Sequence, residues 1–434
     1  MNWIWLGLVV VSVIAAAFNG TMAAVTTASI DSAKSAVSLA LGLVGVMAFW
    51  LGLMRIVQEG GLLHTLARAL RPLMVRLFPD VPAEHPAMSA MIMNMASNML
   101  GLGNAATPFG IKAMQELDRL NSQPGVATNA MALFLAINTS SLALAPLGVI
   151  ALRASLGSND AAGIWLPTLF ATSLSTLVGI AAAKLLQRAV PVGPAAGSSA
   201  TTVSGPNQAM PLPDQDDLGA DRPTSRPGCL AALATLAALG LGFVLHLRAS
   251  LATGLSVGEV LRDAVSTWLL PVLIVLMLVY GMAKRVAVYD AMITGAKEGF
   301  QVALRIIPFL VAIIVAAGMF RASGLLDAII AVVGPGLSLI GFPAEALPMA
   351  LLRPLSGSGA YGIMAEIIQA EGPDSLVGYL VSTLQGSTET TFYVLAVYFG
   401  AVGVTRVRHA LAAGLTADLA GIIGALVAVR WLVG

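Results

Sequence analysis

The sequence predicts an all-α integral membrane protein made of two inverted-topology repeats with broken or re-entrant helices, a secondary-transporter-like plan. Three observations predict it. Of 434 residues, 57% are hydrophobic and 10% charged, against about 25% charged in an average soluble domain, and the mean hydropathy is +0.87. Apolar runs long enough for a crossing, about 20 residues, recur along the whole chain. Two further segments are interrupted by Gly and Pro where an uninterrupted span is expected, and their surroundings repeat.

Taken in order, crossings are expected near 2–24, 36–57, 128–150, 162–186, 228–247, 267–288, 299–320, 376–400 and 408–432. The first is read as a helix rather than a cleaved signal, because no Lys or Arg opens it. Residues 86–120 form two short helical stretches split at "GLGNAATP", where Gly101, Gly103 and Pro108 interrupt the helix. Residues 345–370 are split in the same way at "RPLSGSGAYG". Broken backbone at membrane depth is tolerated only where protein buries it or it lines a cavity. Residues 189–227, rich in Pro, Gly, Ser and Asp, read as a flexible aqueous linker between membrane halves 1–188 and 228–434.

The halves repeat. Ala33-Lys34, Gly61-Leu62-Leu63 and Pro72 recur as Ala296-Lys297, Gly324-Leu325-Leu326 and Pro335, all offset by 263 positions. Pro82-Ala83-Glu84 recurs at an offset of 261, and Gly101-Leu102-Gly103 matches Gly357-Ser358-Gly359 at 256, a drift that a few small gaps produce. Arg55, Arg68, Arg71 and Arg76 follow one crossing, whereas Lys284, Arg285 and Lys297 precede its counterpart. Because positive residues favour the cytoplasm, the second repeat is expected to be inverted and the linker cytoplasmic. Inverted repeats whose broken helices meet near the midplane are a secondary-transporter plan.

Several functions are disfavoured. A net charge of +1 gives no electrostatic case for nucleic acid. The single Cys229 precludes an internal disulfide, and His64, His85, His246 and His409 fall in no ligand spacing, so neither a metal nor a cofactor is expected. No nucleophile–base pair stands out, and "GLGNAA" lacks the Gly-Lys of a phosphate loop; the chain does not read as an enzyme.

The chemistry is expected in four polar clusters. "LQGSTETT" places Gln385, Ser387, Thr388 and Glu389 at the front of an apolar run. A charge at the centre of a spanning helix costs roughly 2.5–3.5 kcal/mol and commonly faces a cavity; the competing reading is a helix cap. Asn138 and Thr139 in "INTSSLALAP" lie opposite this cluster across the repeat, the alternative being hydroxyls bonded back to their own helix. Asn94, Ser97, Asn98 and Asn104 flank the first broken segment, and amides, which both donate and accept, suit a polar organic ligand. Ser356, Ser358 and Tyr361 flank the second, with Arg353 before and Glu366 after; these two are read either as an ion pair or with Arg353 on a substrate.

At these residues "NMASNMLGLGNAATPFGIKAMQELDRLN" closely resembles the spore maturation protein A family, and "RPLSGSGAYGIMAEII" through "GYLVSTLQGSTETTFYVLAVYFGAVGV" closely resembles spore maturation protein B. The resemblance covers both halves and implies a natural fusion of A and B, joined by the linker. Both belong to the nucleoside recognition, or gate-domain, group, which implies a permease-like fold in the bacterial cytoplasmic (inner) membrane. The expected partners are the lipid bilayer, a small polar solute such as a nucleoside, and, where apolar faces meet another subunit, a homo-oligomer. An ion permease and a non-transporting envelope or spore-maturation scaffold are the alternatives.

Overall fold

The computed structural model describes residues 2–101, 103–144, 146–189, 224–252 and 257–432; most of the expected linker lies outside them. Among these residues the chain is helical without strands. In order the helices are α1 (Asn2–Asn19), α2 (Met22–Glu59), α3 (Leu62–Leu77), α4 (Pro86–Met99), α5 (Gly103–Arg119), α6 (Asn129–Ser140), α7 (Leu147–Ser155), α8 (Trp165–Ala189) and α9 (Arg226–Ala252). They continue as α10 (Val257–Ala283), α11 (Val288–Ala322), α12 (Leu325–Leu339), α13 (Leu347–Leu352), α14 (Gly357–Glu371), α15 (Leu376–Ser387), α16 (Thr391–Gly400) and α17 (Ala410–Leu432).

Four stretches are long and apolar enough to cross a membrane: Met22–Glu59, Ala161–Ala189, Arg226–Ala252 and Ala410–Leu432. A fifth is the bent pair Leu310–Ala322 and Leu325–Val332, angled at 69°. The α11–α12 bend has a local cause. Gly324 adopts φ 79°, and Gly61, between α2 and α3, adopts φ 80°, a left-handed conformation that costs other residues a Cβ clash. Helix α9 buries none of its residues, and Leu230, Leu233 and Leu241 on it are exposed, as expected of a helix solvated by hydrocarbon.

Helices α2–α8 and α11–α17 form two runs of equal number among the described residues. From α2 to α8 each helix has a counterpart from α11 to α17, with short α3 and α12 after the matched glycines. Counterparts also pack on one another. Helix α2 lies along α11 with Ser32 at Gly318, Ala48 at Gly299 and Gly52 at Met292, so the two run antiparallel. Helices α8 and α17 are likewise antiparallel, with Ala171 at Gly424 and Gly179 at Ala417. The approach is close because glycine lies on one side: a Cβ on Gly299 would sit 2.6 Å from the Met47 carbonyl oxygen and 2.7 Å from Ala48 Cα. Gly299→Leu is therefore expected to destabilise by about 1–3 kcal/mol through overpacking. A lower melting temperature in detergent checks this, whereas an unchanged one would mean that α2 and α11 separate freely.

The structure corrects several sequence expectations. The first two crossings are not divided over 25–35. Helix α1 ends at Asn19, and α2 runs unbroken through Asp31 and Lys34, which pair at 3.4 Å on an exposed face, 62% and 73% accessible. The first broken segment divides at 100–102, with Gly101 at φ 73°, while Pro108 is accommodated inside α5. The second divides at 353–356 as expected. Most consequential, the crossings expected at 128–150 and 376–400 are themselves interrupted. The first parts into α6 and α7 around Ser141–Pro146, and the second into α15 and α16 around Thr388–Thr390. Glu389 consequently lies in extended chain, not in a helix centre. The reason is tertiary: backbone groups freed at these breaks find partners on distant elements, described next.

Candidate functional site

The two interrupted helices meet at their breaks. The Glu389 N–H donates to the Thr139 carbonyl at 2.7 Å, and the Phe392 N–H donates to Pro354 O at 3.1 Å. Thr128 caps α6 and Ser375 caps α15, each by accepting a backbone N–H, so counterpart helices start alike and stop alike. Pro146 cannot donate to a helix ladder, and Ser141 turns the chain left-handed at φ 33°. The carbonyls freed there are satisfied by the Thr172 hydroxyl, which donates to Ser140 O at 3.1 Å and Ser141 O at 2.6 Å, and by Trp165 Nε1, which donates to Leu144 O at 2.7 Å.

Arg353, 5% exposed, comes from the break between α13 and α14. Its Nη1 donates to Thr390 Oγ1 at 3.2 Å, and its Nη2 donates to the Thr388 carbonyl and lies 3.9 Å from Glu389 Oε2. Of the two readings of this arginine, pairing with Glu366 is set aside: Glu366 pairs with Arg321 at 3.1 Å. Ser356 serves as the N-cap of α14, accepting from the Gly359 N–H at 3.1 Å. Glu389 itself is half exposed. On the other side of the break, Thr391 Oγ1 donates to Asp418 Oδ2 at 2.5 Å. Asp418 is 3% exposed in the middle of α17, and its Oδ1 has no hydrogen-bond partner.

A second network adjoins the first at Asn138–Thr139. Asn98 Nδ2 donates to Asn138 Oδ1 at 3.0 Å, and Tyr398 OH approaches the same oxygen at 3.4 Å. Asn94 Nδ2 donates to Tyr398 OH at 3.1 Å and to Ala106 O at 2.7 Å, leaving its own Oδ1 buried and unpaired. Phe134 stacks on the Tyr398 ring with centroids 6.0 Å apart. Amides and a phenol from α4, α6 and α16 thus converge beside the break.

The pattern of the Nucleoside recognition (Gate) family matches residues 40–156 and 303–405, just over half of the chain. The chain belongs to the nucleoside recognition family. The two matched stretches end beyond α7 and α16, so each includes one interrupted helix pair. Spore maturation protein A of Bacillus subtilis (strain 168) is 43% identical over 180 residues, which cover 42% of this chain and 92% of that protein. Spore maturation protein B of the same organism is 46% identical over 166 residues, 38% of this chain and 93% of that protein. No solved structure matches. With these apolar spans, this member of the nucleoside recognition family is a membrane protein.

The expected site residues of this family member divide into groups. Asn94, Asn98 and Asn138 share the amide network; Thr388 and Glu389 face Arg353; and Thr139 receives the Glu389 N–H. Ser97, Thr139 and Ser387 donate their hydroxyls to their own helices, at Met93 O, Leu135 O and Leu384 O. Of these, Thr139 follows the back-bonding alternative read for its cluster. Tyr361 donates to Gly148 O at 3.1 Å and ties α14 to α7. Ser358 is exposed, Gln385 is partly buried with its Oε1 unpaired, and the Asn104 side chain lies outside the described residues. Asp418 and Tyr398 were missed. Asp418 is a lone carboxylate within 23 largely apolar residues, a signal of the kind that selected Glu389. Tyr398 carries no signal, since a tyrosine in an apolar helix reads as packing.

A separate apolar cavity of ≈ 680 Å³ lies alongside, lined by Met54, Leu100, Leu144, Trp165, Leu236 and Leu273 among others. None of the predicted site residues lines it, and its walls suit hydrocarbon rather than a polar solute.

Proposed function

We propose that this protein is a multi-pass inner-membrane transporter of the nucleoside recognition family that binds and moves a small polar solute, a nucleoside or related metabolite. The observation that carries the reading is the meeting of two interrupted helices, α6–α7 and α15–α16, at Thr139 and Glu389. Broken helices meeting at one point are how transporters bring backbone and polar side chains to a solute. The antiparallel packing of counterpart helices, α2 on α11 and α8 on α17, supports inverted repeats. We read 1–188 as an A-like half and 228–434 as a B-like half, joined by a cytoplasmic linker over 189–227.

In this reading Asn94, Asn98, Asn138 and Tyr398 offer hydrogen bonds to a base or sugar edge, and the half-exposed Glu389 orients a polar group of the solute. The test is a thermal-shift panel on detergent-purified protein with nucleosides, nucleobases, amino acids and dicarboxylates. A ligand that binds the folded state raises stability logarithmically above its Kd. One organic class is expected to do so, and Asn98→Ala is expected to weaken that binding by about tenfold, the value of one neutral hydrogen bond. Glu389→Gln is expected to weaken it. No shift with any organic class at millimolar concentration would sink the solute reading.

A further inference from the structure

We infer that Asp418 is the site of a bound monovalent cation, a proton or Na⁺, that balances the charge at the meeting of the two helix breaks. This rests on the site described above and deepens it, but its test requires no solute.

The inference stands on charge, burial and shape. The centre holds one positive side chain, Arg353, and two negative ones, Glu389 and Asp418. Glu389 is half exposed, whereas Asp418 is 3% exposed. Arg353 acts on Asp418 through space, yet makes its hydrogen bonds to Thr388 and Thr390. The carboxylate keeps one hydrogen bond, from Thr391, and its Oδ1 is buried without a partner. An ionised carboxylate left half-satisfied away from water is strongly unfavourable. One added monovalent cation both neutralises the centre and fills the vacant oxygen.

Hydroxyl-bearing residues pack on α17 to either side of Asp418, with threonine methyls nearest the flanking glycines. Gly414 and Gly421, one turn either side of Asp418, let hydroxyl residues close onto α17. A Cβ on Gly414 would lie 3.0 Å from Thr391 Cγ2 and 3.6 Å from Thr139 Oγ1, and one on Gly421 would lie 2.6 Å from Thr388 Cγ2 and 3.5 Å from Ser175 Oγ. Carboxylate, hydroxyl and carbonyl oxygens are the ligands a hard cation takes. Three of the helices packed on α17 carry no charge. α6, α15 and α16 contain no Asp, Glu, Lys, Arg or His. Their titratable groups are the phenols Tyr379, Tyr393 and Tyr398. On α8, Lys184 donates to Leu77 O at 2.8 Å, and Arg188 lies in the last turn.

The test compares full-length wild type and Asp418→Asn in detergent without solute. Melting temperature is followed against NaCl, with choline chloride holding ionic strength, and against pH in choline alone. If the ion is Na⁺, wild type gains stability with the logarithm of Na⁺ concentration above Kd. If it is a proton, the folded state binds it more tightly than the unfolded, so wild type gains stability as pH falls. Asp418→Asn, permanently neutral, is expected to lose whichever response wild type shows. Equal responses in the two proteins to both ions would overturn the proposal. A second measurement uses wild type alone: a carbodiimide modifies protonated carboxyls in apolar surroundings, and mass spectrometry locates the adduct. Labelling of Asp418 that rises at low pH is expected, with protection by NaCl if Na⁺ is the ion. No adduct at Asp418, or one indifferent to pH and NaCl, overturns the proposal. A flat solute panel with an intact ion response would remove the solute reading and leave this one standing.

Discussion

Arg153→Ala is expected to lower the melting temperature more than substitution at any other position considered above. Arg153 closes α7 with 0% of its side chain exposed, and it ties α7 to α15 and the turn before it. Its Nη1 donates to Pro373 O at 2.6 Å and Ser382 Oγ at 3.4 Å. Its Nη2 donates to Asp160 O at 3.1 Å, Ser158 Oγ at 3.2 Å and Asp374 Oδ1 at 3.1 Å. Its guanidinium lies 4.2 Å from the centre of the Tyr379 ring. Removing the cation takes a donor from each of these acceptors, and loss of one partner from a buried pair costs about 3–5 kcal/mol. The lower end applies, because Asp374 is 31% exposed and keeps the Ser158 hydroxyl and the Asn159 N–H. Arg153→Lys is expected to recover little, since a point charge cannot serve a fan of acceptors. A loss smaller than about 1 kcal/mol, the typical effect of any substitution, would show that the joint is not held by this side chain.

The same joint sets a pH limit. Burial pushes the Asp374 carboxyl up, but the bonds from Ser158 and Asn159 together with the Arg153 charge outweigh it, and the group lies below the usual carboxylate range. Its folded pKa is thus below its unfolded value near 3.9. The contribution to stability is complete above that value and is lost as pH falls through the folded pKa. Asp374→Asn should therefore flatten the acid limb of the stability curve and leave its alkaline side alone.

Arg353→Ala is expected to be the second large effect, about 3 kcal/mol, because it removes the cation that faces both Asp418 and Glu389. It also strips the Thr388 carbonyl of its donor, and a buried acceptor without a partner costs about 1–3 kcal/mol. The sharper measurement is the double variant Arg353→Ala with Asp418→Asn. If the two charges oppose one another across the break, neutralising both is less harmful than the two single losses combined. Strict additivity, within about 0.5 kcal/mol, would mean that Arg353 serves only the Thr388–Thr390 backbone.

How far the site was legible depended on the kind of signal. The broken segments at 86–120 and 345–370 were visible because Gly and Pro punctuate them, as was the cluster from Gln385 to Glu389. The break at Thr388–Thr390 was hidden inside an expected crossing. Nothing local forbids helix there; extended chain is held by Thr139 O, reached from about 250 residues away, and by Arg353. The choice of Arg321 over Arg353 as the partner of Glu366 was equally invisible, since both arginines precede it on the same repeat and only the fold of α11 against α14 decides.

The sequence by itself determined the membrane class and the family, because apolar runs and long motifs are properties of local composition. The positive φ at Gly61 and Gly324 came from the structure, although the sequence had matched these two glycines. Only the tertiary structure decided which polar residues come together. A carboxylate in an apolar helix declares that burial must be compensated, but the compensating groups come from other helices. Asp418 acquires its meaning from Thr391, Arg353 and the unpaired Oδ1, and Asn94, Asn98 and Asn138 acquire theirs from Tyr398. Hydrogen bonds act over about 3 Å, and bringing such groups within that reach across hundreds of residues requires the packed fold.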